Sequence, residues 1–313
     1  MAEKKRKVKK RPTKKSAKKK KDTTRAAVFT LVSFLAVLVI AVSLLYTRYK
    51  LDYRLSPPVK PPKAASKKPP EKVTKKRKPP RKAVIPKKTK PHHTYKVAIV
   101  IDDLGYDNHL AEELLKIDAP LTFSIFPLCP FSKSVAQKAH ALGRDVMLHL
   151  PMEPHGHPQK NPGIGSLFLN MSDEELLKRL DENIRSVPFI KGVNNHMGSR
   201  FTEDKEKMRV VLREIKRRKL FFLDSRTSKD SVVYSMAKEM GVGTAERKIF
   251  LDNNQDVDLI NSQVYKLAKA SMKNGSAIGI CHPYPSTIKA LKQIIPKLMA
   301  KGIEVVPVSQ LVE

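Results

Sequence analysis

Val97-Ala98-Ile99-Val100-Ile101-Asp102-Asp103-Leu104-Gly105 carries five apolar residues straight into two adjacent carboxylates and a glycine. The apolar run suits a strand buried on both faces. Its ending reads as a strand that leaves the core and turns sharply. In an α/β protein, chemistry gathers at the carboxyl ends of buried parallel strands. Two neighbouring carboxylates repel one another unless one of them holds a cation or a proton. On this stretch alone two readings stand: a metal site, or an Asp pair that caps the following helix and bonds turn amides.

Working outward, short apolar runs alternate with helical patterns. The runs are Val97–Ile101, Leu121–Phe126, Asp145–Leu150, Ile190–Asn194, Leu220–Leu223, Ala245–Leu251, Ser276–Ile280 and Ile303–Val308. Between them the spacing predicts helices over Ala111–Ile117, Ser132–Leu142, Asp173–Arg185, Asp204–Arg218, Val232–Met240, Val257–Met272 and Ser286–Ala300. Ser172-Asp173-Glu174-Glu175 is a capping box ahead of the third helix. Such repetition predicts a parallel sheet wrapped by helices, as a closed or nearly closed β/α barrel or else an open doubly wound sheet. No Gly-x-Gly-x-x-Gly or phosphate-loop pattern follows any strand, which argues against a nucleotide.

The ends of the predicted strands carry the chemistry. They read Asp102-Asp103, Phe126-Pro127, His149-Leu150-Pro151-Met152-Glu153-Pro154, Asn194-Asn195-His196-Met197-Gly198-Ser199, Asp224-Ser225-Arg226-Thr227 and His282-Pro283. A lone strand-end histidine is usually a hydrogen-bonded core residue. Several strands doing the same thing on one barrel rim point to a site. Mixed oxygen and nitrogen ligands suit zinc or another first-row divalent ion. His155 and His157, close by in the chain, are expected to face solvent.

Ile-Asp-Asp-Leu-Gly, His-Leu-Pro-Met-Glu-Pro, Gly-Val-Asn-Asn-His-Met-Gly-Ser, Leu-Asp-Ser-Arg-Thr and Gly-Ile-Cys-His-Pro, in this order, resemble the divergent polysaccharide deacetylases, a remote branch of the NodB-type carbohydrate esterases. The resemblance spans nearly all of residues 95–313. It implies a distorted NodB-like barrel of seven or eight β/α repeats and a divalent metal held by Asp and two His. On that pattern Asp102 is the base and Asp103 a ligand. His149 fills the first place of the His-x-x-x-His motif, but Glu153 stands at the second. The missing imidazole is expected from His196, with Glu153 as the alternative ligand. His282 matches the general acid. Asp224 is expected to hold that imidazole or position substrate, and Arg226 to orient Asp102 or make a structural ion pair.

The ends of the chain are different in kind. Residues 1–25 are mostly Lys and Arg without apolar period, which predicts a disordered basic tail. Residues 26–46 carry no charge and are long enough to span a bilayer as an uncleaved anchor. Flanking charge favours a cytoplasmic N-terminus and a globular part outside, in the periplasm or beyond an inner membrane of a bacterial envelope. Residues 47–94 form a Pro/Lys-rich linker with four Pro-Pro pairs, which favours an extended chain. The formal charge of +32 divides into roughly +12, +15 and +5 for the tail, residues 26–94 and residues 95–313. The basicity belongs to the ends, which lack the interleaved aromatics of a nucleic-acid binder, so no specific nucleic acid is expected. Lipid headgroups and polyanionic cell-wall material suit them better. Cys129 and Cys281 are expected as buried free thiols.

The reading as a whole is a metal-dependent hydrolase that removes N-acetyl groups from an acetylated polysaccharide or peptidoglycan-type glycan. Its rivals are a catalytically inactive glycan-binding envelope protein, a hydrolase of another bond, and a scaffold acting through its basic ends. Adjacent Asp102 and Asp103 cannot flank a glycosidic bond, which ranks a glycosidase low.

Overall fold

A computed structural model describes residues 95–313. The expected basic tail (1–25), membrane anchor (26–46) and linker (47–94) lie outside the described residues. Among the described residues no helix is long and apolar enough to cross a membrane.

Nine parallel strands form one curled sheet: β1 (Tyr95–Leu104), β2 (Thr122–Ile125), β3 (Asp145–Met152), β4 (Ile190–Met197), β5 (Phe221–Asp224), β6 (Thr244–Glu246), β7 (Ile249–Phe250), β8 (Ser276–Cys281) and β9 (Ile303–Val305). Eight follow the order β6-β5-β4-β3-β2-β1-β8-β7, and β9 pairs with the start of β1. Seven helices lie between them: α1 (Asn108–Leu115), α2 (Ser132–Ala141), α3 (Asp173–Ser186), α4 (Lys205–Arg217), α5 (Val233–Met240), α6 (Val257–Asn274) and α7 (Pro285–Ala300). This is the distorted NodB-like barrel that the sequence resemblance implies. The capping box at Ser172 and Glu175 is present, and Asp107, Asp204 and Asp256 cap α1, α4 and α6 by accepting from backbone N–H groups.

One expected strand is two. The run Ala245–Leu251 splits because the chain passes there from the β5 edge of the sheet to the β8 edge. Arg247 N–H donates to Asp224 O on one edge, and Lys248 N–H donates to Ile278 O on the other. Among the described residues no strand pairing joins β6 to β7; this crossing spans the gap. Arg247 then turns its side chain to the carbonyls of Ser225 and Arg226, at 2.7 and 2.9 Å, and lies over the Phe250 ring.

Alternation along the strands sorts two cores. Val97, Ile99 and Ile101 of β1 face the helices, with Val146 and Leu148 of β3. Ala98 and Val100 face the barrel interior, with Met147, Leu223, Ile278 and Ile280. Val308 plugs the bottom of that interior, its N–H donating to Thr122 Oγ1, while Ser309 N–H donates to Asp145 Oδ2. The interior is therefore apolar at the amino ends of the strands. Two residues further along each strand, the same inward columns become polar.

Candidate active site

The inward column of β1 continues from Val100 to Asp102, that of β3 from Met147 to His149, and that of β8 from Ile280 to His282. On β4 the column holds Asn194 and His196. These four positions meet at the carboxyl mouth. Asp103 is the exception to alternation, since the neighbour of an inward residue should point outward. The pairing of β1 with β2 slips between Ile101 and Leu104, and Asp103 takes a left-handed φ of 57°. Aspartate tolerates that region better than most residues. The irregularity re-aims Asp103 into the mouth beside Asp102.

Asp103 Oδ1, His149 Nε2 and His196 Nδ1 form a near-equilateral triangle, with separations of 3.0, 3.1 and 3.1 Å. Donors about 2.1 Å from one divalent ion adopt this spacing. The chemistry of the set agrees. His149 Nδ1 lies 2.9 Å from Asn194 Oδ1, an arrangement that leaves Nε2 to offer a lone pair. Lone pairs facing one another and a carboxylate call for a cation. The residues fit the metal that the sequence implied, with His196 and not Glu153 completing the triangle.

Burial works against a charged Asp103, but the hydrogen bonds and charge of the two imidazoles overcome it and hold the carboxyl far below the usual range. Burial and the neighbouring His149 push His196 down. For His149, burial is outweighed by Asp102, Asp103 and Asn194, and its affinity for a proton rises. Phe126 walls the cluster, its ring 4.9 Å from His149 and 4.7 Å from His196.

Glu153 does other work. It is buried, receives Leu169 N–H at 2.8 Å and Arg200 Nη1 at 2.7 Å, and pins two rim loops together. His155 is exposed, as expected, and pairs with Glu203. His157 is half-buried against Phe168 rather than solvent-facing.

Two expected contacts are replaced. The carboxylate on His282 is Asp252, not Asp224: Asp252 Oδ1 lies 2.9 Å from Nδ1, and Oδ2 accepts from His282 N–H and Thr287 Oγ1. Asp224 instead accepts from Arg226 N–H and Ser231 Oγ, since it follows the inward-facing Leu223 and so points away from the interior. Arg226 does not orient Asp102; it takes its other expected role, a structural ion pair. Its guanidinium lies 3.6 Å from Glu246 and 4.0 Å from Asp224, because a left-handed φ of 51° turns it outward. The group that holds Asp102 is Asn194, whose Nδ2 donates to Oδ1 at 2.9 Å. Burial holds the Arg247 guanidinium below its usual range, although the charge of Asp224 and, less strongly, Asp102 works against it.

Sequence reading missed Asp252, Asn194 and Arg247 as site residues. Asp252 had a signal: it ends the sixth apolar run as Asp102 ends the first. Asn194 had one too, two residues before His196 and so on the same face of the strand; Arg247 had none. Cys129 and Cys281 are free thiols, the first half-buried and the second buried.

Comparison with known proteins agrees with this geometry. Residues 99–312 match the family described as divergent polysaccharide deacetylase. An uncharacterized protein of Escherichia coli (strain K12), YibQ, is 35% identical over 205 residues, which cover 65% of this chain and 63% of that one. An uncharacterized Haemophilus influenzae protein is 38% identical over 199 residues, covering 63% of this chain and 70% of the other. The chain thus spans less than two thirds of the E. coli relative's length. The crystal structure of an uncharacterized Agrobacterium tumefaciens protein, ATU2773, superposes with a TM-score of 0.68 at 27% identity, covering 70% of this chain and 89% of that one.

Proposed function

The chain belongs to the divergent polysaccharide deacetylase family, and from that premise we propose that it hydrolyses the N-acetyl group of an amino sugar in a cell-envelope polysaccharide with the help of one divalent ion. The observation that carries the reading is the triangle of Asp103, His149 and His196, with Asp102 and His282 at the ends of neighbouring inward columns.

Asp103, His149 and His196 would hold the ion. When bound it would lower the pKa of a water and polarise the acetamide carbonyl, and the donor set suits zinc. The remaining steps belong to the chain. Asp102, fixed by Asn194, takes a proton as the water oxygen adds to the acetyl carbon. Asp252 holds Nδ1 of His282, leaving Nε2 as the proton donor. The carbon–nitrogen bond breaks, the amine nitrogen takes that proton, and acetate and free amine leave. Burial disfavours a charged His282, but the Asp252 hydrogen bond and charge, with Asp102 and Asp103 behind them, raise it to about 9. It is therefore protonated at neutral pH, the form the step requires. Phe126 packs against both imidazoles and shields that side of the cluster from solvent.

The tail, anchor and linker suggest where this happens. A single span at residues 26–46, with the catalytic domain outside the inner membrane on an extended basic tether, would bring the domain to acetylated, peptidoglycan-type glycan.

The test is metal content by elemental analysis, then acetate release from N-acetylglucosamine oligomers with and without chelator. One bound ion and chelator-sensitive release are expected. A bound ion with glycan affinity but no acetate would favour the binding module instead. Full activity in metal-stripped protein would overturn the scheme.

A further inference from the structure

The buried amide of Asn194 uses all four of its hydrogen-bonding positions. Oδ1 lies 2.6 Å from Ser124 Oγ and 2.9 Å from His149 Nδ1. Nδ2 lies 2.9 Å from Asp102 Oδ1 and 3.2 Å from Ser225 Oγ. An amide offers two donor hydrogens on nitrogen and two acceptor positions on oxygen, so this set is complete. Its direction is also determined. Turned by 180°, the amide would put its oxygen against Asp102 Oδ1, acceptor facing acceptor.

From this we infer that Asn194 is a positioning residue that couples the base to the metal ligand: Asp102 sets the direction of the amide, and the amide then requires His149 to carry its proton on Nδ1 and present Nε2 to the ion. The inference rests on the metal reading above. It adds that the two halves of the site, the proton acceptor and one ligand, are oriented by the same four atoms. The Nδ1–H also makes His149 a better ligand, because a hydrogen bond from the distal nitrogen raises the basicity of the ligating one.

The coupling makes separable predictions for two substitutions. Asn194→Ala removes both contacts. Asn194→Asp keeps an acceptor for His149 Nδ1 but replaces the donor to Asp102 with a repelling oxygen. The whole chain is stripped of metal and titrated with zinc against a chromophoric chelator. Zinc affinity is expected to fall about 10- to 100-fold in Asn194→Ala and to stay within roughly threefold of wild type in Asn194→Asp. Where acetate release is measurable, kcat of Asn194→Asp is expected to fall at least about tenfold with KM little changed. Ser124→Ala, which removes a hydrogen bond of the same network without changing the amide's direction, is expected to leave zinc affinity unchanged. A merely structural role predicts instead that both Asn194 variants lose zinc equally, or that neither does, and either result overturns the inference.

A measurement on wild type stands if the variants do not fold. In zinc-loaded protein with 15N-labelled histidine, His149 is expected to show a proton on Nδ1 that exchanges slowly with water. A His149 that ligates through Nδ1, or an Nδ1–H in rapid exchange, overturns it. None of the zinc measurements needs acetate release, so failure of the deacetylase reading and failure of this one are distinguishable.

Discussion

Asp252 grips His282 at two points: Oδ1 meets the imidazole Nδ1 at 2.9 Å, and Oδ2 accepts the residue's own backbone N–H at 2.6 Å. Thr287 Oγ1 donates to Oδ2 as well, so the carboxylate is fixed by the start of α7. A carboxylate held this way can neither rotate nor exchange its partner for water. It sets both the orientation and the protonation of the imidazole.

The first prediction concerns pH. Burial alone would drive His282 neutral, but Asp252 holds it protonated to about 9. A proton donor is lost as pH rises through that value, so kcat is expected to decline on the alkaline side near pH 9. Asp252→Asn removes the charge, and the decline is expected to move down by roughly one to two pH units, lowering kcat at pH 8 about two- to tenfold. A pH–kcat profile of both proteins checks this.

The same group predicts a stability change with a definite sign. The folded-state value is raised above the unfolded value near 6.5, so folding favours the protonated form. The stabilisation is complete below about pH 6.5 and is lost as pH rises to about 9. Its size is on the order of a few kcal/mol. Thermal unfolding of the metal-free protein from pH 6 to 9.5 is expected to show a fall in Tm that Asp252→Asn lacks.

Glu153 separates structural from ligand roles. Glu153→Gln keeps an acceptor for Leu169 N–H but loses the charge facing Arg200. A cost of about 1–3 kcal/mol in stability is expected, with metal content unchanged. Asp103→Ala and His196→Ala are expected to abolish metal binding. Elemental analysis and urea unfolding of the three proteins check it; loss of metal from Glu153→Gln at intact fold would return Glu153 to the ligand set.

Arg226 and Arg247 are expected to differ in the opposite sense from their sequence setting. Arg226 makes loose, half-exposed ion pairs and two long hydrogen bonds, to the carbonyls of Lys229 and Ser231 at 3.3 and 3.4 Å, and Arg226→Ala is expected to cost about 1 kcal/mol or less. Arg247 bonds two carbonyls, lies 3.7 Å over Phe250 and spans the gap in the barrel. Arg247→Ala is expected to cost about 2–4 kcal/mol and to lower kcat as well. Denaturant midpoints for the two variants decide between them.

Gly192 tests the packing of the sheet. A methyl group there would collide with the Phe221 ring of the neighbouring strand. Gly192→Ala is expected to destabilise by about 1–3 kcal/mol, read as a lower denaturant midpoint with an unchanged slope.

The sequence by itself determined the strand and helix order, because burial on both faces writes unbroken apolar runs and burial on one face writes helical periods. It also determined which residue types reach the rim, since Asp102, His149, His196 and His282 each end an apolar run. Pairing among those residues was a different matter. Asp252 rather than Asp224 reaches His282, because Asp252 follows β7, which pairs with β8, whereas Asp224 points away from the interior; Asn194 rather than Arg226 reaches Asp102, because Asn194 stands in an inward column. A strand end fixes how far along the barrel axis a side chain sits. Only closure of the sheet fixes which strands face one another, and the left-handed turn at Asp103 decides that two adjacent acids share one pocket. Hydrogen bonds act over about 3 Å, so partner choice belongs to the tertiary structure even where every participant is legible in the chain.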